Sequence, residues 1–82
     1  MSSPDPKLLQ AVATHKAGRI AEARVLYKRF LRRRPRDPDA LNFLGMLEFQ
    51  HGEKSRGIEL LQKSLASAPG NPHAWMNLGK ML

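Results

Sequence analysis

The chain repeats itself with a period of 34 residues, and this spacing is the feature that most restricts its fold. Five independent series of small or turn-forming residues recur at that interval. The series are Pro4, Pro38 and Pro72; Ser3, Asp37 and Asn71; Gly18 and Gly52; Pro35 and Pro69; and Ala11, Gly45 and Gly79. A fixed period of this length is typical of stacked supersecondary units, each too small to bury a core alone.

The repeated residues mark where helices start and stop. A Ser, Asp or Asn before Pro starts a helix, because its side-chain oxygen accepts a hydrogen bond from a free backbone N–H. Pro suits the first helical position because its missing N–H would have no partner there. Gly closes a helix, and the residue before a Pro is pushed out of helical geometry. We therefore expect helices at about 4–17, 20–34, 38–51, 54–68 and 72–81, without strands.

Small residues are placed where helices of one hairpin would cross. Ala11 and Ala23 form such a pair in the first hairpin, and Gly45 and Gly57 in the second. A Gly inside a helix costs about 1 kcal/mol relative to Ala. Close backbone contact is therefore the predicted role of Gly57, and sequence drift is the alternative.

Composition limits the class of protein. With 82 residues, 41% apolar and 26% charged, the chain is expected to form one ordered domain. It has no cysteine, which excludes disulfides and thiolate chemistry. The sequence contains no apolar run long enough to span a membrane. After Met1 it also lacks the basic residues and apolar stretch of a secretory signal, so we expect a cytoplasmic protein.

Two runs of residues resemble a known family. They are Ala74, Trp75, Met76, Asn77, Leu78 and Gly79, and one repeat earlier Ala40, Leu41, Asn42, Phe43, Leu44 and Gly45. Both resemble the first-helix signature of the tetratricopeptide repeat. The resemblance covers two repeats, about 3–36 and 37–70, and the opening helix of a third, about 71–82. It implies a single all-α domain over 1–82, a right-handed superhelical stack of five helices in antiparallel hairpins.

The resemblance also implies a function. Tetratricopeptide arrays bind extended or helical peptides on a concave face lined by the first helix of each repeat, so we expect a non-catalytic protein-binding adaptor with an apolar groove. The groove residues implied by motif position are Leu8, Leu9, Val12, His15, Asn42, Phe43, Met46, Phe49, Met76, Asn77 and Lys80. Only Asn42, Asn77 and Lys80 have the chemistry of the family's carboxylate clamp, so such a clamp is not expected.

A second hypothesis is that the chain is the N-terminal targeting region of a larger enzyme. The run Gly-Arg-Ile-Ala-Glu-Ala at residues 18–23, followed by an Arg-rich helix end, is similar to bacterial arrays that precede glycosyltransferase or sulfotransferase domains. Members that serve glycosyltransferases carry an asparagine at one groove position of each repeat. Here only Asn77 has it, since Leu9 and Phe43 stand at the equivalent positions.

The net charge of +7 comes from the first 35 residues, because the remainder is balanced. The basic segment contains Arg24, Lys28, Arg29, Arg32, Arg33, Arg34 and Arg36. In one interpretation these side chains form a solvated face, and their charges are stabilised by the negative end of the helix dipole. In the other they form a surface that binds an acidic protein, a nucleic acid or an anionic membrane. Tyr27 and Phe30 fall on the apolar face, which argues against base stacking and a nucleic acid partner.

The sequence predicts no catalytic residue, cofactor or metal site. His15, His51 and His73 lie on different helices without ligand spacing, and no serine stands in a nucleophile motif. The last helix is the remaining feature. Its apolar residues Trp75, Leu78 and Leu82 lack a partner helix, so either the sequence is part of a longer repeat protein or the helix forms a homodimer.

Overall fold

Residues 5–82, the part of the chain that the computed structural model describes, form five α-helices and no strand. The helices are α1 (Pro6–Lys16), α2 (Ile20–Arg33), α3 (Pro38–Gln50), α4 (Lys54–Ser67) and α5 (Pro72–Met81). The all-helical prediction is confirmed. Within this range no helix combines the length and the hydropathy needed to cross a bilayer.

The first helix of each repeat starts with a side-chain cap followed by Pro. Asp37 accepts a hydrogen bond from the backbone N–H of Ala40 (2.9 Å), and Asn71 caps α5 in the same way. Ser3 and Pro4, predicted to start the first helix, lie outside the described residues. The helix starts two residues later, because Asp5 has extended backbone (ψ 130°), caps the N–H of the second helical residue and is itself followed by Pro.

The turns between helices follow the predicted residues. Gly18 and Gly52 have φ angles of +84° and +97°. Non-glycine residues rarely adopt this left-handed region, which explains why glycine recurs after α1 and α3. The helices α2 and α4 each end two residues before the proline that was predicted to stop them.

Helices consecutive in sequence pack against each other, and α1 also contacts α3, as α3 contacts α5. The first helices of the repeats therefore lie side by side. A cluster of buried residues from α1 to α4 forms the main core, and a smaller one joins α4 to α5. The main cluster contains Leu8, Ala11, Ala23, Tyr27, Phe30, Ala40, Leu41, Leu44, Leu47 and Leu60. The smaller contains Leu61, Leu65, Ala74 and Leu78.

The closest approach of backbones lies between α3 and α4. A Cβ atom added to Gly57 would lie 2.6 Å from the carbonyl oxygen of Gly45. The predicted close contact of these two glycines is confirmed. Nearby, the buried hydroxyl of Ser64 donates to the backbone carbonyl of Pro38 (2.7 Å), which links α4 to the start of α3 and explains a polar residue in the core.

Candidate protein-binding groove

Two adjoining clefts lie between α3 and α5. The first has a volume of about 190 Å³ and the second about 300 Å³. They share Met46 and Asn77, so they form one continuous depression, here called the α3–α5 groove. Its lining comprises Asp39, Asn42, Phe43, Met46, Phe49, Gln50, Asn71, His73, Asn77, Lys80 and Met81. The groove brings together six residues expected from motif position, namely Asn42, Phe43, Met46, Phe49, Asn77 and Lys80.

Two asparagines join the walls of the groove. The side-chain amide of Asn77 on α5 donates to the side-chain oxygen of Asn42 on α3, at 3.0 Å. An amide side chain carries two N–H donors and one oxygen with two lone pairs. The bond uses one donor of Asn77 and one lone pair of Asn42, so both side chains keep hydrogen-bonding capacity. No local sequence pattern predicts this pair, because its members are 35 residues apart in the chain.

Five expected groove residues lie elsewhere, namely Leu8, Leu9, Val12, His15 and Met76, and Leu9 is exposed. Leu8 is buried in the core, Val12 packs half-buried against it, and Met76 is exposed outside both clefts. Leu8, Asn42 and Met76 are equivalent in the repeat, yet their surroundings differ. The reason is that α3 packs on α1 and α5 packs on α3, whereas no described helix follows α5.

His15 does not line the groove either. Its ring contacts Tyr27 edge-on, and Nδ1 shares a hydrogen bond of 3.1 Å with the Tyr27 hydroxyl. Burial lowers the pKa of His15, a hydrogen bond with the Gln50 side chain opposes that shift, and the charge of His51 adds to it. Burial raises the pKa of Tyr27 to about 12. The neutral pair thus stabilises the α1–α2 interface.

Comparison with known families agrees with this geometry. The family model described as tetratricopeptide repeat matches residues 8–72, which is more than half of the chain. The chain belongs to the tetratricopeptide repeat family. Tetratricopeptide repeats generally mediate protein–protein interaction, and they are typically scaffolds rather than catalysts.

A curated relative contains a similar segment. Cellulose synthase 2 operon protein C from Komagataeibacter xylinus is 38% identical to this chain over 61 residues. The match covers 74% of this chain but only 5% of that protein. The tetratricopeptide segment described here therefore corresponds to a small fraction of its relative.

The basic segment of this tetratricopeptide chain is not uniformly exposed. Arg24 lies 2.7 Å from Glu48 in an ion pair between α2 and α3, and Glu48 is buried. Arg24 is therefore part of the helix packing, which corrects its assignment to a basic patch. Glu48 is not among the residues predicted from the sequence, although a carboxylate within an apolar helix is a signal that a cation pairs with it in the core.

The other basic residues lie at the surface. Arg34 is 3.7 Å from Asp5, and its guanidinium lies 5.9 Å from the centre of the Phe30 ring. The exposed members of the patch are Lys28, Arg29, Arg32, Arg33, Arg34 and Arg36. The structure adds Lys7 of α1 to this region, because α1 and α2 are antiparallel.

The last helix presents two of the three residues expected to self-associate. Trp75 is 55% exposed and Leu82 is 82% exposed. Leu78, by contrast, is buried against α4 and cannot contribute to a second surface, which corrects that prediction. The Trp75 indole N–H donates to the carbonyl of Pro69 (2.7 Å), which holds the ring in place.

No three His, Asp, Glu or Cys side chains within residues 5–82 are close enough together to hold a metal ion. The groove combines apolar side chains with amides, the carboxylate of Asp39, the imidazole of His73 and the amine of Lys80. This arrangement can bind a partner through apolar contact and hydrogen bonds, the features by which binding sites fix a ligand's orientation.

Proposed function

We propose that this chain is a non-catalytic adaptor that holds a peptide or helix of another protein in the α3–α5 groove. The observation that carries the proposal is the combination of apolar walls with a hydrogen-bonded amide pair between them. The side chains of Phe43, Met46 and Phe49 supply the apolar surface. Methionine adapts its shape to different ligands, which suits a protein-binding surface.

The paired asparagines supply orientation. In this proposal, the partly exposed Asn77 uses its remaining donor and acceptor on the main chain of the bound segment, while Asn42, which is 5% exposed, holds the Asn77 side chain in place. A peptide main chain requires hydrogen-bond partners when it is removed from water, since an unpaired buried amide costs about 1–3 kcal/mol. The apolar surface then provides affinity and the amide pair fixes the register.

The Met46→Glu substitution tests the groove. We expect it to weaken binding of a peptide selected from a phage-displayed library on the wild-type chain by roughly tenfold or more, because a carboxylate would replace a central apolar contact. Isothermal titration calorimetry measures the change, and circular dichroism melting verifies that the variant is folded.

Met76→Glu is the matched control for that experiment. Met76 is the same residue type on a first helix, but it is exposed outside both clefts. Its substitution should leave the affinity within about twofold, as expected for a surface charge. Equal losses in both variants, or a larger loss for Met76→Glu, would show that the peptide binds elsewhere.

We further propose that α5 forms a homodimer with a second copy. Trp75 and Leu82 are exposed, and a Cβ atom at Gly79 would meet nothing within 4 Å. In a two-fold symmetric contact the same residue lies near the axis in both copies. A glycine there allows close approach, with Trp75 on either side.

Sedimentation equilibrium over a range of concentrations tests this homodimer. We expect a concentration-dependent dimer for the wild-type chain and a monomer for Trp75→Asp, since burying an unpaired carboxylate opposes association. Unchanged helical content in the variant serves as the control. A wild-type chain that stays monomeric at all concentrations would exclude the homodimer.

The relative's name supports a second candidate function. That protein is called a cellulose synthase operon protein, and this chain resembles a small part of it. We propose as an alternative that the repeats are the N-terminal targeting region of a larger enzyme that transfers a sugar or a sulfate. An antibody against the repeats that detects a longer polypeptide with such an activity in the source cells would support this alternative, and detection of the 82-residue chain alone would contradict it. A cytoplasmic location stays a prediction that cell fractionation can test.

A further inference from the structure

A second concave surface lies between the start of α1 and the end of α2. It consists of two adjoining clefts of about 180 Å³ and 280 Å³ that share Lys7, Phe30 and Arg33. We call this surface the basic cleft. Its residues are Asp5, Lys7, Gln10, Leu26, Arg29, Phe30, Arg33 and Arg34. None of them lines the α3–α5 groove, so the two surfaces can bind independently.

The cations of the basic cleft exceed its carboxylates. The carboxylate of Asp5 accepts a hydrogen bond from the backbone N–H of Lys7 (2.8 Å) and lies 3.7 Å from Arg34. No other carboxylate lines the cleft. Within residues 5–82, no carboxylate is within ion-pair distance of Lys7, Arg29 or Arg33. Three positive charges therefore face one concave surface without a counterion from the described chain.

The helix dipole does not account for this arrangement. A cation in the last turn of a helix is stabilised by the carbonyl end, and Arg33 is in such a position. Lys7, however, lies in the first turn of α1, where the positive end of the dipole disfavours a cation. Arg29 and Arg33 are one turn apart on α2, and like charges at this spacing oppose the helix. An anionic partner would relieve both unfavourable interactions.

The floor of the basic cleft is apolar. Leu26 is half-buried and Phe30 is buried, with the guanidinium of Arg34 near the Phe30 ring. Because Phe30 is 5% exposed, its ring cannot stack on a nucleic acid base, which is the usual contribution of aromatic residues to single-strand binding. An aliphatic side chain of a bound partner can contact Leu26.

We propose that the basic cleft binds an acidic segment of a partner protein, with its carboxylates on Lys7, Arg29 and Arg33 and an adjacent apolar side chain on Leu26. Arginine suits this role because its planar guanidinium matches a carboxylate with two parallel hydrogen bonds. The partner is thus a peptide that combines Asp or Glu with a leucine-like residue.

Fluorescence anisotropy with a labelled Glu-Glu-Leu-Glu-Glu peptide tests the proposal. We expect saturable binding that the double variant R29Q/R33Q weakens by roughly tenfold or more, because two charge-assisted hydrogen bonds are lost. The matched control is K28Q/R32Q, which removes the same charge from the same helix outside the cleft. It should weaken binding by only about twofold, as surface charges do.

Other outcomes separate the proposal from its rivals. Equal weakening by the two double variants would overturn it in favour of diffuse attraction to a basic surface. Tighter binding of poly(U) than of the acidic peptide would overturn it in favour of a nucleic acid partner, which the steep salt dependence of phosphate contacts would also reveal. Met46→Glu should leave binding of the acidic peptide unchanged, so failure of the α3–α5 groove and failure of the basic cleft are distinguishable.

Discussion

Substitution of Gly57 by alanine is expected to destabilise the fold by about 2 kcal/mol, although alanine favours helix by about 1 kcal/mol. The added Cβ would lie 2.6 Å from the carbonyl oxygen of Gly45 and 2.7 Å from the Cβ of Phe49. It would also lie 2.9 Å from the Phe49 backbone nitrogen. Because two of these atoms belong to the backbone of α3, the helices must separate to accept the methyl group.

Thermal unfolding followed by circular dichroism measures this loss. For a chain of this size, about 2 kcal/mol corresponds to a decrease in Tm of roughly 8–16 °C. Gly45→Ala should have a smaller effect, since its Cβ would lie 3.0 Å from the Gly57 carbonyl oxygen.

Gly79→Ala is the control for Gly57→Ala. It is measured in dilute solution, where the proposed homodimer through α5 is dissociated. A Cβ at this position meets nothing within 4 Å, so alanine should stabilise α5 by up to about 1 kcal/mol. If Gly57→Ala were stabilising like Gly79→Ala, helix propensity would outweigh packing, and the close contact would not explain Gly57.

Removal of Arg24 is expected to cost about 2 kcal/mol. Glu48 is 5% exposed, and Arg24 Nε donates to its carboxylate at 2.7 Å. Removing one partner of a fully buried pair costs about 3–5 kcal/mol, because the remaining charge stays buried without compensation. The Arg24 side chain is 30% exposed, so water can partly replace it and the expected loss is smaller.

Urea denaturation of Arg24→Ala measures this cost, with Arg19→Ala as the matched control. Arg19 pairs with Glu22 at 3.6 Å, but both side chains are largely exposed, so its loss should be at most about 0.5 kcal/mol. The double variant Arg24→Met/Glu48→Leu should regain most of the stability, because a buried pair can be replaced by apolar side chains. If the double variant were as unstable as Arg24→Ala, lost packing and not the buried charge would be responsible.

The basic segment illustrates what sequence reading could and could not predict. The run of cations at the end of α2 predicts a solvent-exposed face, and the side chains of Lys28, Arg29 and Arg32 are exposed. Helical spacing alone predicts the same exposed face for Arg24, because it lies one turn before Lys28 on the same helix. Only the packing of α3 on α2 brings Glu48, which is 24 residues away in the chain, to its guanidinium.

The groove shows the same division between motif and packing. Motif position correctly indicated that Asn42 and Asn77 belong to first helices, but it treated each repeat as equivalent. Packing makes the repeats unequal, because α3 covers α1 and α5 covers α3, whereas no described helix covers α5. Leu8 is therefore buried, Asn42 is held by Asn77, and Met76 is left exposed.

The sequence by itself determined the five helices, their turns and the family, because caps, prolines and turn glycines act through bonds within a few residues of themselves. Asp37, Gly52 and Asn71 illustrate this local control. The tertiary structure alone decided which side chains meet across helices. The Asn42–Asn77 bond, the Arg24–Glu48 pair and the convergence of Lys7 with the α2 arginines depend on where helices cross. Those positions are set by the packing of the whole core.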